Sequence, residues 1–315
     1  MSRDVKRGTA ARPFRLGTRG SDLALTQSGG VASQLEAAGH ATRLEVIRTA
    51  GDRSQAPSFG TIGAQGVFVR EIENALLAGD IDLAVHSFKD LPTISPPGLV
   101  IAAVPAREDS ADVLLAGEDR LDAAMGGWVP LARGVRVGTS SVRRGAWLRH
   151  LRPDLVVEPL RGNVPTRVRK LREGRYDAIV LAAAGLARLE EGGDALRDAL
   201  EGLVTFRLDP QHFVPAPAQG ALAIQCREDR ADVLAALAAL DDPASRAAVT
   251  IERAALALAE GGCNTAFGAY CVVQESGFEL TAMLERNRRM LSAGVFGETP
   301  ERTVENLWDL LGAPA

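Results

Sequence analysis

Lysine is almost missing from this chain: only Lys6, Lys89 and Lys170 occur among 36 basic residues, so 33 are arginines, set against 40 acidic residues for a net charge of −4. An acidic balance excludes nucleic acid and anionic membrane as general partners. Long hydrophobic runs are absent too. The longest nearly unbroken one, Ala178 to Ala187, falls short of the roughly 20 residues that cross a bilayer, so a soluble protein is expected. Three cysteines cannot build a disulfide framework, and the charged opening MSRDVKRGTAARPF lacks the apolar segment of a secretory signal. A reduced, cytoplasmic setting is therefore expected. His40, His86, His150 and His212 are not spaced with the cysteines as a zinc site requires. Neither a G-x-G-x-x-G turn after the first strand, nor a P-loop, nor a G-x-S-x-G elbow occurs, which disfavours nucleotide and hydrolase chemistry.

What the chain does have is an α/β rhythm. From Phe14, short apolar runs alternate with helical patterns, and small or polar residues mark each junction. Strands are expected at 14–17, 44–48, 81–86 and 100–104. A helix capped by Ser21 should bury Ala24, Ser28, Val31, Leu35 and Ala38 and stop at Gly39. A second helix should turn Phe68, Ile72, Ala75 and Leu76 inward, and the glycine-rich stretch from Ala50 to Gly66 suits a mobile lid. After Pro105 the same alternation resumes, with strands at 135–137, 155–160 and 178–181 and helices at 142–151, 165–171 and from Leu186 onward. The segment LDPQHFVPAPAQG, 208–220, suits a crossing between lobes. The last block differs. A long helix opening at Asp242-Pro243, with Ala244, Ala248, Ile251, Ala255 and Leu258 inward, stops at Gly261-Gly262. Strands at 267–273, 278–284 and 290–296 follow, and then a helix from Thr299-Pro300 with Val304, Leu307 and Leu311 inward. The expected domains are 12–105 with 215–240, 106–214, and 241–315.

Four strand-to-helix junctions gather small hydroxyl residues and cations: Gly17-Thr18-Arg19-Gly20-Ser21, His86-Ser87-Phe88-Lys89-Asp90, Gly138-Thr139-Ser140-Ser141-Val142-Arg143-Arg144 and Arg161-Gly162-Asn163. Unpaired N–H groups at a helix N-terminus, with Ser or Thr and a nearby Arg, make an anion site, and open α/β sheets collect ligands at such strand ends. Each junction taken singly could also be mere capping beside solvated arginines. Likewise the arginine excess reflects either coding bias or a substrate rich in carboxylates or phosphates, which a planar guanidinium grips with two parallel bonds. Lys89-Asp90 reads either as a surface ion pair or as one carboxylate in an arginine-lined cleft, placed to steady a cationic centre or manage a proton. Cys226 and Cys271 lie in apolar runs and read as small buried hydrophobes. Cys263, after Gly261-Gly262, could reach out of its own domain as a nucleophile or attachment point.

Taken in order, LGTRGSDLALTQ, GVFVREIENALLAGDIDLAVHSFKDLPT, VGTSSVRR, LRGNVPTR, DAIVLAAAGLARL, APAQGALAIQCR and EGGCNTAFGAY resemble the porphobilinogen deaminases, or hydroxymethylbilane synthases, from about Phe14 to Glu285. The resemblance implies two lobes like type II periplasmic binding proteins and a small α+β third domain. It implies a monomeric transferase of porphyrin, tetrapyrrole and heme biosynthesis, which joins four porphobilinogens head to tail and releases ammonia. It further implies a dipyrromethane cofactor in thioether linkage to Cys263. By resemblance Asp90 is the central catalytic residue, hydrogen-bonding pyrrole N–H groups and stabilising the azafulvene cation left by ammonia loss, with Arg19 helping proton transfer. Ser87, Lys89, Thr139, Ser140, Ser141, Arg143, Arg144, Arg167 and Gly185 are implied cofactor contacts. Arg19, Ser21, Gln27, Arg161, Gly162, Arg167 and Arg188 are implied substrate contacts.

Some residues depart from the family pattern. The lid carries Thr61 and Gln65 where basic residues are common, Asn264-Thr265-Ala266 follow Cys263 where Gln and Pro are usual, Ala218 replaces a Gly, and Pro165 stands in a first helical turn. Two other functions are weighed against this one. A non-catalytic two-lobed organic-anion binding protein would have no use for a thiol aimed at the cleft, and an acyl or phosphoryl transferase using Cys263 lacks a recognisable histidine partner.

Overall fold

The computed structural model describes residues 12–47, 63–122, 127–259 and 266–312. Most of the expected lid, with Thr61, lies outside the described residues, as do Cys263, Asn264, Thr265 and the side chain of Gln65.

The first lobe is built on β1 (Phe14–Thr18), β2 (Thr42–Val46), β3 (Leu83–Ser87) and β4 (Leu99–Ala103), with β10 (Leu222–Arg227) inserted late, in the order β2-β1-β3-β10-β4. β1 runs parallel to β2 and β3, and β10 is antiparallel to both of its neighbours. Ser21 caps α1 (Asp22–Ala37), its side chain accepting from the Ala24 N–H, and Val31 and Leu35 pack with Leu16, Leu83 and Ile224. Helix α2 (Gly63–Ala78) buries Ile72 and Leu76 as its spacing requires. It begins at Gly63, so the last residues of the expected lid form its first turn.

The second lobe carries β5 (Asp112–Ala116), β6 (Arg136–Gly138), β7 (Val156–Glu158), β8 (Ala178–Ala182) and β9 (Val204–Arg207) in the order β7-β6-β8-β5-β9. β5 and β9 are not among the expected strands. β5 is buried along its whole length, so it shows no period-2 alternation for sequence reading to find. Helices α3 (Val142–Leu151), α4 (Val164–Arg172), α5 (Ala183–Glu191) and α6 (Asp194–Leu200) follow. Ser141 and Asn163 cap α3 and α4, and Pro165 sits in the first turn of α4, where its missing N–H costs nothing.

Returning to the first lobe, the chain forms β10 and α7 (Ala231–Leu237), then α8 (Pro243–Ala259), which packs on the antiparallel sheet of β11 (Phe267–Gln274), β12 (Gly277–Arg286) and β13 (Arg289–Gly297), closed by α9 (Pro300–Leu311). Ala248, Ile251 and Ala255 face inward as expected. Ala244 and Leu258 do not, because the buried stripe runs through Ser245, Ala248, Glu252, Ala255 and Ala259.

That stripe places a carboxylate at the joint between lobes. Glu252, fully buried, accepts from Arg107 Nη1 at 2.7 Å and Nη2 at 3.0 Å, from the Ala218 N–H at 2.7 Å and from the Cys271 N–H at 2.9 Å. Four donors compensate a charge that burial alone would make costly. Ala218 holds φ +60°, and at Gly220 (φ +91°) a β-carbon would fall 2.4 Å from the Glu108 carbonyl. The two crossing strands of chain meet there too closely for a side chain.

Candidate functional site

The junctions predicted from sequence converge at the facing ends of the two sheets. A cleft with about 990 Å³ of open space is lined by Arg19, Ser21 and Lys89 from the first lobe and by Arg144, Gly162, Arg167 and Gly185 from the second. A smaller pocket beside it is lined by Arg19, Ser21, Gln27, His86, Ser87 and Asp90, over an apolar floor that includes Val69, Ile72 and Val85. Gln27 and Ser87 are hydrogen-bonded to each other at 3.1 Å. Asp90 is exposed, so its carboxylate keeps access to the space it borders.

Lys89 stands at the centre. Its Nζ donates to Gln219 Oε1 at 3.2 Å, and burial pushes its ammonium down to about 8, although Asp90 beside it favours the charge. Gln219, almost fully buried on the crossing segment, donates through Nε2 to the Ser110 carbonyl at 2.8 Å and to Asp112 Oδ1 at 2.9 Å. Asp112 in turn accepts from Arg143 Nη2 at 2.8 Å, Arg144 Nη2 at 2.7 Å and Arg144 Nε at 3.1 Å. Burial would raise this carboxyl, but Arg143 and Arg144 hold it well below the usual carboxylate range. Arg143 also donates to the Val214 carbonyl at 2.7 Å and Arg144 to the Val180 carbonyl at 3.0 Å. Much of both guanidiniums is thus spent inside the protein, and it is Arg144 that lines the cleft.

Thr139 Oγ1 accepts from the Ser141 N–H at 3.2 Å, and Ser141 caps α3 by accepting from the Arg144 N–H at 3.3 Å. Ser140 Oγ, between them, is buried without a partner. Arg167 donates to the Gly162 carbonyl at 2.7 Å, and Arg188 reaches across to the Gly220 carbonyl at 2.8 Å. Burial works against the charge of both. Arg161 is exposed, and its carbonyl accepts from Lys170 at 2.8 Å. Cys263 lies outside the described residues. Sequence reading missed Asp112, Gln219, Glu252 and Arg107. A carboxylate inside the apolar run ADVLLA and another on the inward stripe of a helix were the available signals, since buried charges need partners.

Among the described residues no cluster of His, Cys, Asp and Glu could hold a metal ion. The arrangement offers many anion-binding groups, with the exposed Asp90 bordering the small pocket and the exposed Asp22 bordering the cleft. It fits a ligand with several carboxylates and a group that develops positive charge.

Residues 14–235 match the family model described as "Porphobilinogen deaminase, dipyromethane cofactor binding domain". The chain is 46% identical over 277 residues to the porphobilinogen deaminase of Syntrophobacter fumaroxidans, covering 87% of this chain and 84% of that protein. It is 44% identical over 294 residues to the Geobacillus kaustophilus enzyme of the same name, covering 92% and 91%. Among solved structures, an ancestral cationic amino acid solute binding protein aligns with 72% of this chain and 87% of its own, at 15% identity and a TM-score of 0.43.

Proposed function

This chain belongs to the porphobilinogen deaminase family, and on that premise we propose how its own residues divide the work. The protein is a transferase of tetrapyrrole biosynthesis, a hydroxymethylbilane synthase, and its cofactor is a dipyrromethane. When bound, that group supplies a pyrrole chain whose free end receives each new ring.

The residues present fit such a polyacid. The unpartnered Ser140 hydroxyl at the N-terminus of α3, with the Thr139 and Ser141 junction and Lys89, Arg144 and Arg167 around the cleft, offers donors for carboxylates that the protein itself does not use. Cys263 is the attachment point. Arg143 braces Asp112 from the far side, so that Arg144 presents a fixed face. Arg19 and Ser21 receive the carboxylates of incoming porphobilinogen, with Gln27, Arg161, Gly162 and Arg188 forming the rest of its surroundings. Asp90 accepts from the pyrrole N–H and stabilises the positive charge that develops as ammonia leaves. Arg19, which borders both spaces, is placed to help the proton transfer. We take the domains to be 12–105 with 215–240, 106–214 and 241–315, each carrying one of the three sheets, and the protein to act as a monomer in the cytoplasm.

The observation that carries this reading is the meeting of the exposed Asp90 carboxylate with cations from both lobes in adjoining spaces. Intact mass of the purified protein tests it. The mass should exceed that of the chain by one dipyrromethane, and Cys263→Ser should remove the increment. A wild-type protein at sequence mass that does not consume porphobilinogen would sink the reading, and would favour the anion-binding alternative.

A further inference from the structure

Three consecutive residues of the segment that returns to the first lobe are each held by a side chain from elsewhere in the chain. The Ala218 N–H donates to Glu252 of α8 at 2.7 Å, the Gln219 carbonyl accepts from Arg107 Nε at 2.8 Å, and the Gly220 carbonyl accepts from Arg188 of α5 at 2.8 Å. Two of the three carry positive φ, +60° at Ala218 and +91° at Gly220. An alanine in the left-handed region is disfavoured, persists only where its surroundings impose it, and is found most often where a function needs it. What this turn aims is the buried Gln219 side chain. Its Nε2 donates to the Ser110 carbonyl at 2.8 Å and to Asp112 Oδ1 at 2.9 Å, with the Ala111 carbonyl at 3.2 Å. Three acceptors on one side settle the orientation of the amide, so Oε1 faces Lys89 and accepts from its Nζ at 3.2 Å. The same Asp112 oxygen takes Nη2 and Nε of Arg144. A cation of the first lobe and a cation of the second, which line one cleft, are thus joined behind it through a side chain that does not line it. A carboxylate at this position would lie against Asp112 and pair with Lys89, whereas an amide holds the ammonium and leaves its charge for a ligand.

We propose that Gln219 is a positioning residue: it sets Lys89 at a fixed spacing from Arg144, so that the two cations meet the carboxylates of the bound pyrrole chain together. This inference rests on the deaminase reading above. A ligand with several carboxylates needs its cations at matched places, and a misplacement of about 1 Å in the groups that orient reactants can cost on the order of a hundredfold in rate. Gln219 acts through Lys89 and Arg144 and has no contact of its own with the reacting atoms.

The test compares holoenzymes of wild type, Gln219→Leu, Gln219→Met and the double variant Gln219→Leu with Lys89→Arg, each checked for folding by thermal midpoint. Dipyrromethane is measured by intact mass, and rates are expressed per cofactor-bearing molecule, so partial loading does not mimic the effect. Leucine and methionine both keep most of the side-chain volume, so one variant that packs poorly does not end the test. The readout is kcat/KM for porphobilinogen from about pH 6 to about pH 10, which reports the groups that titrate in the free enzyme. Asp90 and Asp112 favour the charge of Lys89, and Arg143 and Arg144 oppose it. In wild type kcat/KM should fall above about pH 8, as Lys89 discharges. Both single variants should be down on the order of tenfold at neutral pH. Their decline should also begin about one pH unit lower, because the ammonium has lost an acceptor that favours its charged form. The double variant should show no such decline, since guanidinium stays charged. Wild-type kcat/KM in either folded single variant would overturn the proposal. So would a reduced activity that follows the wild-type pH profile, which is how a residue that only supports the fold behaves. If wild type neither carries dipyrromethane nor consumes porphobilinogen, the functional reading fails; a wild type that does both, beside single variants of unchanged profile, fails only the positioning role.

Discussion

Arg144 places two hydrogen bonds on one oxygen of Asp112, from Nη2 at 2.7 Å and from Nε at 3.1 Å. Arg143 takes the other oxygen at 2.8 Å, so one buried carboxylate fixes two adjacent arginines in the first turn of α3.

Replacing Asp112 should therefore do more than remove an ion pair. Asp112→Asn leaves two guanidiniums buried around a neutral group, and breaking a buried pair from one side costs about 3–5 kcal/mol. The expected outcome is a large drop in denaturation midpoint together with incomplete cofactor loading by intact mass. The carboxyl is held below its ordinary value, so in wild type its contribution is present above the usual carboxylate range and is lost only as pH falls beneath it. A variant of wild-type stability and full cofactor content would show that Asp112 does not organise the site.

Lys89 gives a pH signature. Its ammonium binds carboxylates only while protonated, and in the folded protein it titrates at about 8. In the free enzyme kcat/KM should fall above about pH 8, and Lys89→Arg should carry the plateau to higher pH, because guanidinium stays charged. Stability runs the opposite way. A cation whose value is lowered on folding binds fewer protons in the native state, so its share of stability rises with pH between about 8 and the ordinary 10.5. A kcat/KM profile that stays level to pH 10 in wild type would remove the charge of Lys89 from the binding step.

Asp90 is exposed to the site rather than built into the core. Asp90→Ala should abolish turnover and shift stability by no more than about 0.5 kcal/mol. Turnover within threefold of wild type, measured on protein of confirmed cofactor content, would contradict its assigned part in the chemistry.

Glu252 should behave as a purely structural carboxylate. Glu252→Ala strands Arg107 and two buried backbone N–H groups, and the cost should again reach about 3–5 kcal/mol, read by chemical denaturation. A loss below about 1 kcal/mol would mean that water replaces the carboxylate at the joint.

Much of this architecture could be read from local signals. Ser21 caps its helix as expected, and Ser141 and Thr299 cap helices expected to start beside them, because a cap is made within a few residues. From these junctions Arg19, Ser21, Lys89, Arg144, Gly162 and Asn163 meet at one cleft. The supports behind them could not be read that way. Asp112 finds Arg143 31 positions away and Gln219 107 positions away, and nothing in the residues next to it announces such partners. β5 was hidden by its complete burial, and Leu258 was misplaced because a helix face drifts from the assumed repeat near its end.

Glu252 has one more bearing on how the molecule works. Through it the third domain grips Arg107 and Ala218, one residue from each connection between the jaws, and at the same time secures the Cys271 end of its own sheet. One buried side chain thus couples both crossings to the C-terminal sheet, so a disturbance at any of the three contacts reaches the other two.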